Sequence, residues 1–128
     1  MIKVLIVMFF ATSMAMAKYI SIDIDKSVMS DNSIQIIDIR TPNEWKQGVL
    51  KGAILVNLTD NNGEFNEKFL ENIKEKIDPN KKIAIICRSG VRSLRASELL
   101  VQNGYKDVIN LSGGMLLATQ KGLDIVKP

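Results

Sequence analysis

The chain has 128 residues, and its 17 lysine and arginine side chains against 14 aspartate and glutamate side chains give a net charge of only +3 at pH 7. That charge is too small to indicate a nucleic-acid partner or a polybasic contact with a membrane. The chain has no histidine and one cysteine, Cys87, which excludes catalysis by an imidazole of its own and an internal disulfide. The same composition, which also lacks a run of spaced carboxylates, predicts no metal site.

The first 17 residues have the pattern of a secretory signal peptide. Lys3 precedes an apolar run, and Ala15-Met16-Ala17 has the A-x-A form of a cleavage site. The alternative is a single membrane anchor, but the apolar stretch is shorter than the ~20 residues that span a bilayer. We therefore expect cleavage near Ala17 and a mature domain over residues 18–128. We also expect a periplasmic or secreted location and no stable membrane insertion after the signal is removed.

The first half of the mature part alternates between strand and helix patterns. Residues 18–23 predict a short strand, and the β-branched run at residues 34–39 predicts a buried one. The sequence Thr41-Pro42-Asn43-Glu44 has the order of an N-cap, a first helical residue and a capping-box partner, so a short helix is predicted to begin there. We expect Gly48 to end this helix and residues 53–58 to form a brief strand.

An amphipathic helix is predicted over residues 65–77. Its apolar residues recur every four positions and are predicted to face the core: Phe65, Phe69, Ile73 and Ile77. The sequence Asp78-Pro79-Asn80 is predicted to end this helix.

The second half continues the alternation. We predict a strand at 82–86, a helix at 91–102, a strand at 108–111 and a helix from Gly113-Gly114 to Lys121. Strands that are apolar on both faces and alternate with helices predict an α/β fold, with a central parallel sheet of about five strands and helices on both faces. Sites in such folds lie beyond the carboxyl ends of the strands, which is where Cys87 falls.

Cys87 opens the sequence Cys87-Arg88-Ser89-Gly90-Val91-Arg92-Ser93 between a strand and a helix. The thiolate is the reactive form of cysteine. Backbone amides of a curled loop and the start of a helix would stabilise that anion, and Arg88 and Arg92 would add full charges. Gly90 is expected because the loop needs a conformation or a close approach that a side chain would obstruct.

Three blocks of residues make the chain resemble the single-domain rhodanese sulfurtransferases over essentially all of residues 18–128. The blocks are Asp38-Ile39-Arg40 with Glu44-Trp45, Gly48 to Ala53 and Asn57; the loop from Cys87 to Ser93; and Gly104-Tyr105 with Val108 and Leu111 to Met115. The secretory start makes the chain most similar to periplasmic members of the phage-shock sulfurtransferase type. The resemblance implies a small rhodanese-like domain.

The resemblance also implies an activity. A sulfane sulfur would pass from thiosulfate, or a similar small anionic donor, to cyanide or a thiol through a persulfide on Cys87, with no cofactor. In this implied mechanism Arg88 would contact the substrate, and Arg92 would contact the substrate, the loop carbonyls or a carboxylate. The other loop residues would contribute mainly their backbone amides: Ser89, Gly90, Val91 and Ser93. A protein sulfur acceptor or a thiol reductant is not identified by the sequence.

Asp38 and Arg40 are expected to support the loop. We predict that these two residues form a hydrogen bond that supports the loop and an ion pair with Glu44. The alternative places Arg40 at the edge of the pocket. Trp45 is predicted to be a core residue. Val49 stands where the family often has histidine, and Ala118 where an aromatic residue is common. These departures are interpreted as changes in packing and in the pocket wall that affect the fit of the substrate.

Two other functions compete with sulfur transfer. Tyrosine phosphatases and related arsenate reductases use a C-x5-R loop, which is one residue longer than the C-x4-R sequence from Cys87 to Arg92. The shorter loop favours a sulfane sulfur over a tetrahedral phosphate or arsenate. A non-enzymatic persulfide-binding or redox-sensing module is the other alternative, because a thiol can be oxidised and resolved without turnover.

Overall fold

The computed structural model of the protein describes residues 18–128, so the signal peptide predicted for residues 1–17 lies outside the described residues. The elements are, in chain order, β1 (Ile20–Asp23), α1 (Lys26–Ser30), β2 (Ile34–Asp38), α2 (Pro42–Trp45), β3 (Val49–Leu50), β4 (Ile54–Leu55), α3 (Phe69–Lys76), β5 (Lys82–Ile86), α4 (Val91–Gln102), β6 (Val108–Ser112), α5 (Gly114–Gln120) and β7 (Ile125–Val126).

The central sheet has five strands in the order β1-β6-β5-β2-β4. All neighbouring strands in it are parallel, which confirms the predicted α/β architecture. A separate ribbon pairs β3 with β7 in antiparallel register. No helix in residues 18–128 has the length and apolar character needed to cross a membrane.

Helices cover both faces of the sheet, as predicted. One apolar core lies under α3 and α4 and contains Phe69, Ile73 and Leu100, all fully buried. The other core lies under α1 and α5 and contains Val28 and Met115. Burial on both faces explains why the central strands are nearly continuous apolar runs rather than alternating ones.

The predicted capping box forms at the start of α2. The hydroxyl of Thr41 accepts from the backbone amide of Glu44 at 3.3 Å, and the amide of Thr41 donates to the Glu44 carboxylate at 3.3 Å. The helix itself ends at Trp45, earlier than the predicted stop at Gly48. Local hydrogen bonds therefore fix the start of this short turn, and its position sets the direction of the Glu44 side chain.

The predicted helix over residues 65–77 is wrong at its start. The structure begins α3 at Phe69, and Phe65 is 55% exposed rather than part of the core. The side-chain oxygen of Asn66 accepts from the backbone amide of Lys68 at 3.1 Å, and the backbone amide of Asn66 donates to the carbonyl of Leu58 at 2.8 Å. These bonds hold a turn where the apolar spacing alone predicts helix.

Short elements account for the other differences. The helix α1 and the strands β3 and β7 were not predicted, and the strand predicted over residues 53–58 contains only two residues, Ile54–Leu55. A strand of two residues and a helix of five contain too few positions to display their periods.

Candidate active site

The site lies at the carboxyl edge of the sheet between its two central strands. β2 and β5 pair in parallel, so that Asp38 and Ile86 end side by side. The chain leaves β5 for α4 over one face, whereas after β2 it passes through Leu50, which packs in the core on the other face. Chains that depart toward opposite faces leave a crevice at the strand ends, and Cys87 stands there.

Hydrogen-bond donors surround the sulfur of Cys87. The backbone amides of Gly90 and Ser93 donate to Sγ at 3.1 and 3.4 Å, and the thiol lies 3.3 Å from the Ser93 hydroxyl, to which it donates. The residue is 1% exposed. A hydroxyl is both donor and acceptor, so the Ser93 hydroxyl can donate in turn to the ionised sulfur. The loop therefore presents up to three donors to an anion at this position.

Gly90 has the special conformation expected of it. It precedes α4 as the N-cap and has φ of +108°, a region that residues with a Cβ rarely adopt. This turn of the backbone aims the Gly90 amide at the sulfur. The side chains of Ser89 and Val91 are exposed, so these two predicted site residues lie on the outer surface of the loop.

The start of α5 holds the other side of the loop. The amides of Met115 and Leu116 donate to the carbonyls of Cys87 and Arg88 at 2.9 and 3.1 Å. A Cβ on Gly114 would lie 2.5 Å from the Arg88 carbonyl oxygen and closer still to that of Cys87. This support was not predicted, although the double glycine Gly113-Gly114 at the start of α5 is its visible signal in the sequence.

Asp38 and Arg40 form a buried ion pair with each other. The Arg40 guanidinium donates to both Asp38 oxygens, with its Nη2 at 2.8 Å from Oδ2, and also to the carbonyl of Gly48 at 2.7 Å. The indole of Trp45 donates to Asp38 at 3.2 Å. The predicted ion pair between Arg40 and Glu44 is wrong, because the Asp38 carboxylate two residues away receives both the backbone amide and the guanidinium of Arg40.

Glu44 instead holds Arg92. The two side chains form a bidentate pair, with distances of 2.6 Å from Nη1 to Oε1 and 2.7 Å from Nη2 to Oε2. The hydrogen bonds from Arg92 lower the pKa of Glu44 to about 2, against the raising effect of burial. Those bonds also raise the pKa of Arg92. Of the roles left open for Arg92, the structure shows the carboxylate partner, which ties α4 to α2 across the site.

Arg88 is the exposed cation of the loop. Within residues 18–128 no carboxylate lies within ion-pair distance of it. It lines a cavity of about 540 Å³ beside the loop, and the other lining residues are Arg40, Glu44, Gln47, Gly48, Met115, Leu116, Thr119 and Ile125. The carboxylate of Glu44 is paired with Arg92. An anion entering this cavity meets a guanidinium that is not neutralised by another side chain.

The two departures from the family pattern are packing positions. Val49 is 4% exposed in β3, and Ala118 is fully buried in the core under α5. Neither lines the cavity beside Arg88. In the part of the chain that the structure describes, no cluster of three cysteine, aspartate or glutamate residues is arranged to hold a metal ion.

Comparisons with known proteins find matches in one family. The family model described as rhodanese-like domain matches residues 23–119. The chain is 34% identical over 103 residues to thiosulfate sulfurtransferase 18 of Arabidopsis thaliana, covering 76% of each chain. It is also 34% identical over 95 residues to a sulfurtransferase of Allochromatium vinosum, covering 74% of this chain and 80% of that one. A crystal structure of a rhodanese-like domain protein from Staphylococcus aureus superposes with a TM-score of 0.65 at 28% identity, covering 84% of this chain and 98% of the other.

Proposed function

The chain belongs to the rhodanese-like domain family, and from that premise we propose that it is a sulfurtransferase that carries sulfur as a persulfide on Cys87. The observation that supports this most directly is the hydrogen-bonding of the sulfur, which receives the amides of Gly90 and Ser93 in a C-x4-R loop. Donors fixed in advance around a buried sulfur stabilise a thiolate and, after transfer, a persulfide anion.

In the first step the Cys87 thiolate attacks the outer sulfur of thiosulfate. A sulfur–sulfur bond forms to Cys87, the bond between the two thiosulfate sulfurs breaks, and its electron pair leaves with sulfite. The enzyme then holds the persulfide anion, so no charge is created or lost. Arg88 is the residue proposed to attract the donor, since it is exposed beside the loop and not paired with a carboxylate there.

In the second step a nucleophile removes the outer sulfur. Cyanide attacks that sulfur, the bond to Cys87 breaks with its electron pair on the cysteine, and thiocyanate leaves the thiolate as it was. A thiol acceptor would take the sulfur in the same way and become a persulfide. Both steps use the same donors around the sulfur, and neither step transfers a proton to or from another side chain of the site.

A phosphatase or arsenate reductase function is less compatible with the loop. The loop is one residue shorter than C-x5-R, and its closing arginine, Arg92, is held by Glu44 in a bidentate pair. An arginine with both amino groups on a carboxylate is not free to clamp the oxygens of a phosphate. A persulfide carrier or redox sensor without turnover remains the competing function that the experiment must separate.

The experiment uses purified residues 18–128 and the Cys87→Ser variant. Each protein is given thiosulfate and cyanide while thiocyanate is followed, and the intact mass is measured after thiosulfate alone. We expect turnover and the gain of one sulfur atom in the wild type and neither in the variant. Sulfur gain without turnover would identify a carrier or sensor, and no gain with any sulfur donor would overturn the proposal.

We also propose a periplasmic or secreted location, supported by the signal-peptide pattern of residues 1–17. N-terminal sequencing of the protein recovered from the exported fraction tests it. We expect a new terminus at Lys18. An intact Met1, or recovery only from the cytoplasm, would contradict it.

A further inference from the structure

The central sheet has an open edge at β1. This strand pairs with β6 on one side, and among residues 18–128 no strand lies beyond it on the other. Proteins commonly protect such an edge with lysine or proline, because its unpaired backbone groups can bind a strand of another chain. The strand Ile20–Asp23 contains neither residue type, and all four of its residues are exposed. The edge is therefore available for pairing with another strand.

The hydrogen bonds to β6 show which backbone groups of β1 point to the open edge. The amide of Ile24 donates to the carbonyl of Ser112 at 3.2 Å, and β1 and β6 are in parallel register. Because the backbone groups of alternate residues point to opposite edges of a strand, Ile20 and Ile22 also direct their backbone groups to β6. The alternate residues direct theirs to the open edge: Tyr19, Ser21 and Asp23.

One face of β1 is apolar and only partly covered. The side chains of Ile20, Ile22 and Ile24 lie on the same face, because alternate side chains of a strand point the same way. Ile24 is fully buried in the core under α1 and α5, whereas Ile20 is 59% exposed and Ile22 is 36% exposed. A strand added beyond β1 would extend this face and remove both isoleucines from water.

We propose that two copies of the chain pair through β1 in antiparallel orientation, with Ser21 of each copy opposite Ser21 of the other. This register pairs every residue that faces the open edge, since Tyr19 of each copy lies opposite Asp23 of the other and the paired residues exchange their backbone hydrogen bonds. A shift of one residue would set outward groups against inward ones. A shift of two would leave an outward residue of each strand beyond the end of its partner. The inference concerns assembly and does not depend on the proposed sulfurtransferase function.

The side chains of β1 favour a second copy over an unrelated partner because they complement themselves in this register. Ile20 of one copy lies opposite Ile22 of the other in a pair without mutual hydrogen bonds, which is the arrangement that brings side chains closest. The charges agree, because exposed Lys18 precedes the strand and exposed Asp23 and Asp25 lie at its other end. Antiparallel pairing brings the basic end of each copy to the acidic end of the other, whereas parallel pairing would place like charges together.

This assembly leaves both candidate active sites open. Cys87 lies at the carboxyl edge of the sheet, and β6 separates its strand, β5, from β1. In the antiparallel pair the carboxyl edges of the two sheets point in opposite directions. One short strand of each copy is a small contact compared with the roughly 1,200–2,000 Å² of a stable interface. We therefore expect a dimer that dissociates on dilution without a change in activity per Cys87.

Sedimentation velocity of residues 18–128 at micromolar to millimolar concentrations measures the association. We expect a reversible monomer–dimer equilibrium. Ile20→Lys should raise its dissociation constant by about tenfold or more, because it sets an ammonium group against an apolar side chain on each side of the two-fold axis. Phe65→Lys is the matched control. It makes the same change of charge at a side chain that is 55% exposed, in the loop after β4 at the opposite edge of the sheet, and should leave the dissociation constant unchanged.

Cysteine cross-linking tests the register. Ser21→Cys and Asp23→Cys are each made together with Cys87→Ser, so that each protein has one thiol. Residues that form a hydrogen-bonded antiparallel pair have Cα atoms about 5.5 Å apart, which suits a disulfide. We expect a mild oxidant to form a covalent dimer of the Ser21→Cys protein. The two thiols of the Asp23→Cys protein would lie about 13 Å apart along the strands and should not cross-link.

The outcomes separate this proposal from the proposed function. A dimer that Ile20→Lys weakens and Phe65→Lys does not, with cross-linking at position 21 and not at position 23, supports the pairing. A monomer at every concentration overturns it and leaves the edge to another protein or to the chain before Lys18. A dimer that Ile20→Lys does not weaken, or that cross-links at position 23 rather than 21, also overturns it. None of these measurements uses a sulfur donor, so each result leaves the proposed sulfur transfer to its own experiment.

Discussion

At the scale of single residues, the site separates charges that build the structure from a charge that is free to bind. Arg40 and Arg92 are each committed to a carboxylate, Asp38 and Glu44 respectively. Arg88 is exposed at the cavity and has no such partner among residues 18–128. The same residue type therefore serves two purposes within one site. Which purpose each arginine serves depends on partners that lie elsewhere in the chain.

Removal of the Ser93 hydroxyl tests whether this group stabilises the sulfur anion of Cys87. Ser93→Ala keeps the amide that donates to the sulfur and removes the hydroxyl at 3.3 Å. Because one hydrogen bond to a charged group is worth about 1.5 kcal/mol, we expect kcat/KM for thiosulfate to fall about tenfold. Ser97→Ala is the control, since its buried hydroxyl donates to the Ser93 carbonyl and not to the sulfur. Equal losses of kcat/KM in both variants would contradict this role.

The pair between Glu44 and Arg92 makes a prediction about pH. The pKa of Glu44 is lowered to about 2 in the folded chain from an ordinary value of 4.5. A carboxyl of this kind stabilises the fold fully above its unfolded pKa and loses that effect as the pH falls toward the folded one. The free energy of unfolding of the wild type should therefore exceed that of Glu44→Gln by a constant amount above pH 4.5, and the excess should shrink below it.

Urea unfolding of both proteins at several pH values from neutral to strongly acidic measures this excess. Glu75→Gln, which changes an exposed carboxylate on α3, is the control and should show no comparable pH-dependent difference from the wild type. If the free energy of unfolding of the wild type exceeds that of Glu44→Gln by the same amount far below pH 4.5, the charge of Glu44 does not stabilise the fold.

At the scale of elements, those marked by an apolar run, a period or a capping motif were predictable, and the helix α1 and the two-residue strands β3 and β7 were not. The strands β2, β5 and β6 and the helix α4 follow from apolar runs and periodicity. The ribbon of β3 and β7 has two residues in each strand and exists because the strands pair with each other. The sequence therefore indicated the carboxyl edge and the loop of Cys87, but not the wall that Ile125 adds to the cavity.

Partner choice within the site was likewise only partly predictable. The capping box of Thr41 and Glu44 could be read from spacing, because it is local. The pair between Glu44 and Arg92 joins positions 48 residues apart, and no local pattern records such a contact. The assignment of Glu44 to Arg40 was wrong for this reason.

The contact between α5 and the loop is tested by adding a side chain at Gly114, where the neighbouring backbone leaves no room for one. In Gly114→Ala the new Cβ would collide with the carbonyls of Cys87 and Arg88, and the loop must move away. We expect sulfur loading from thiosulfate to fall at least tenfold, because the displacement of loop donors by about 1 Å is costly to catalysis. Gly122→Ala is the matched control. It has a positive φ of +66° but nothing within 4 Å of the new Cβ.

Both glycine variants carry the strain of a left-handed backbone, so both are expected to lose stability. Thermal unfolding of each variant measures that shared cost. Only Gly114→Ala should lose sulfur loading when the two are compared at temperatures where both remain folded. Equal loading in the two variants would show that α5 does not fix the loop.

At the scale of the whole molecule, charge is too evenly balanced to guide an anion to the site. The net charge of the chain is +3, from 17 basic and 14 acidic side chains. A long-range field from so small a net charge is largely screened at physiological salt, where the Debye length is about 8 Å. Recognition of an anionic donor is therefore expected to depend on the local charge of Arg88.

Substitutions of Arg88 in the loop and of Arg95 in α4 distinguish the effect of the charge beside the cavity from the effect of the net charge of the molecule. Arg88→Gln and Arg95→Gln lower the net charge of the molecule equally, and both side chains are exposed, but only Arg88 lines the cavity. Because a unit charge at about 4 Å from a donor anion is worth roughly 1 kcal/mol in water, we expect Arg88→Gln to raise KM for thiosulfate about fivefold and Arg95→Gln to leave it unchanged. Raising the salt concentration should increase KM in the wild type more than in Arg88→Gln, since the screened interaction is absent from the variant. Equal increases of KM in the two variants would show instead that the anion responds to the charge of the whole molecule.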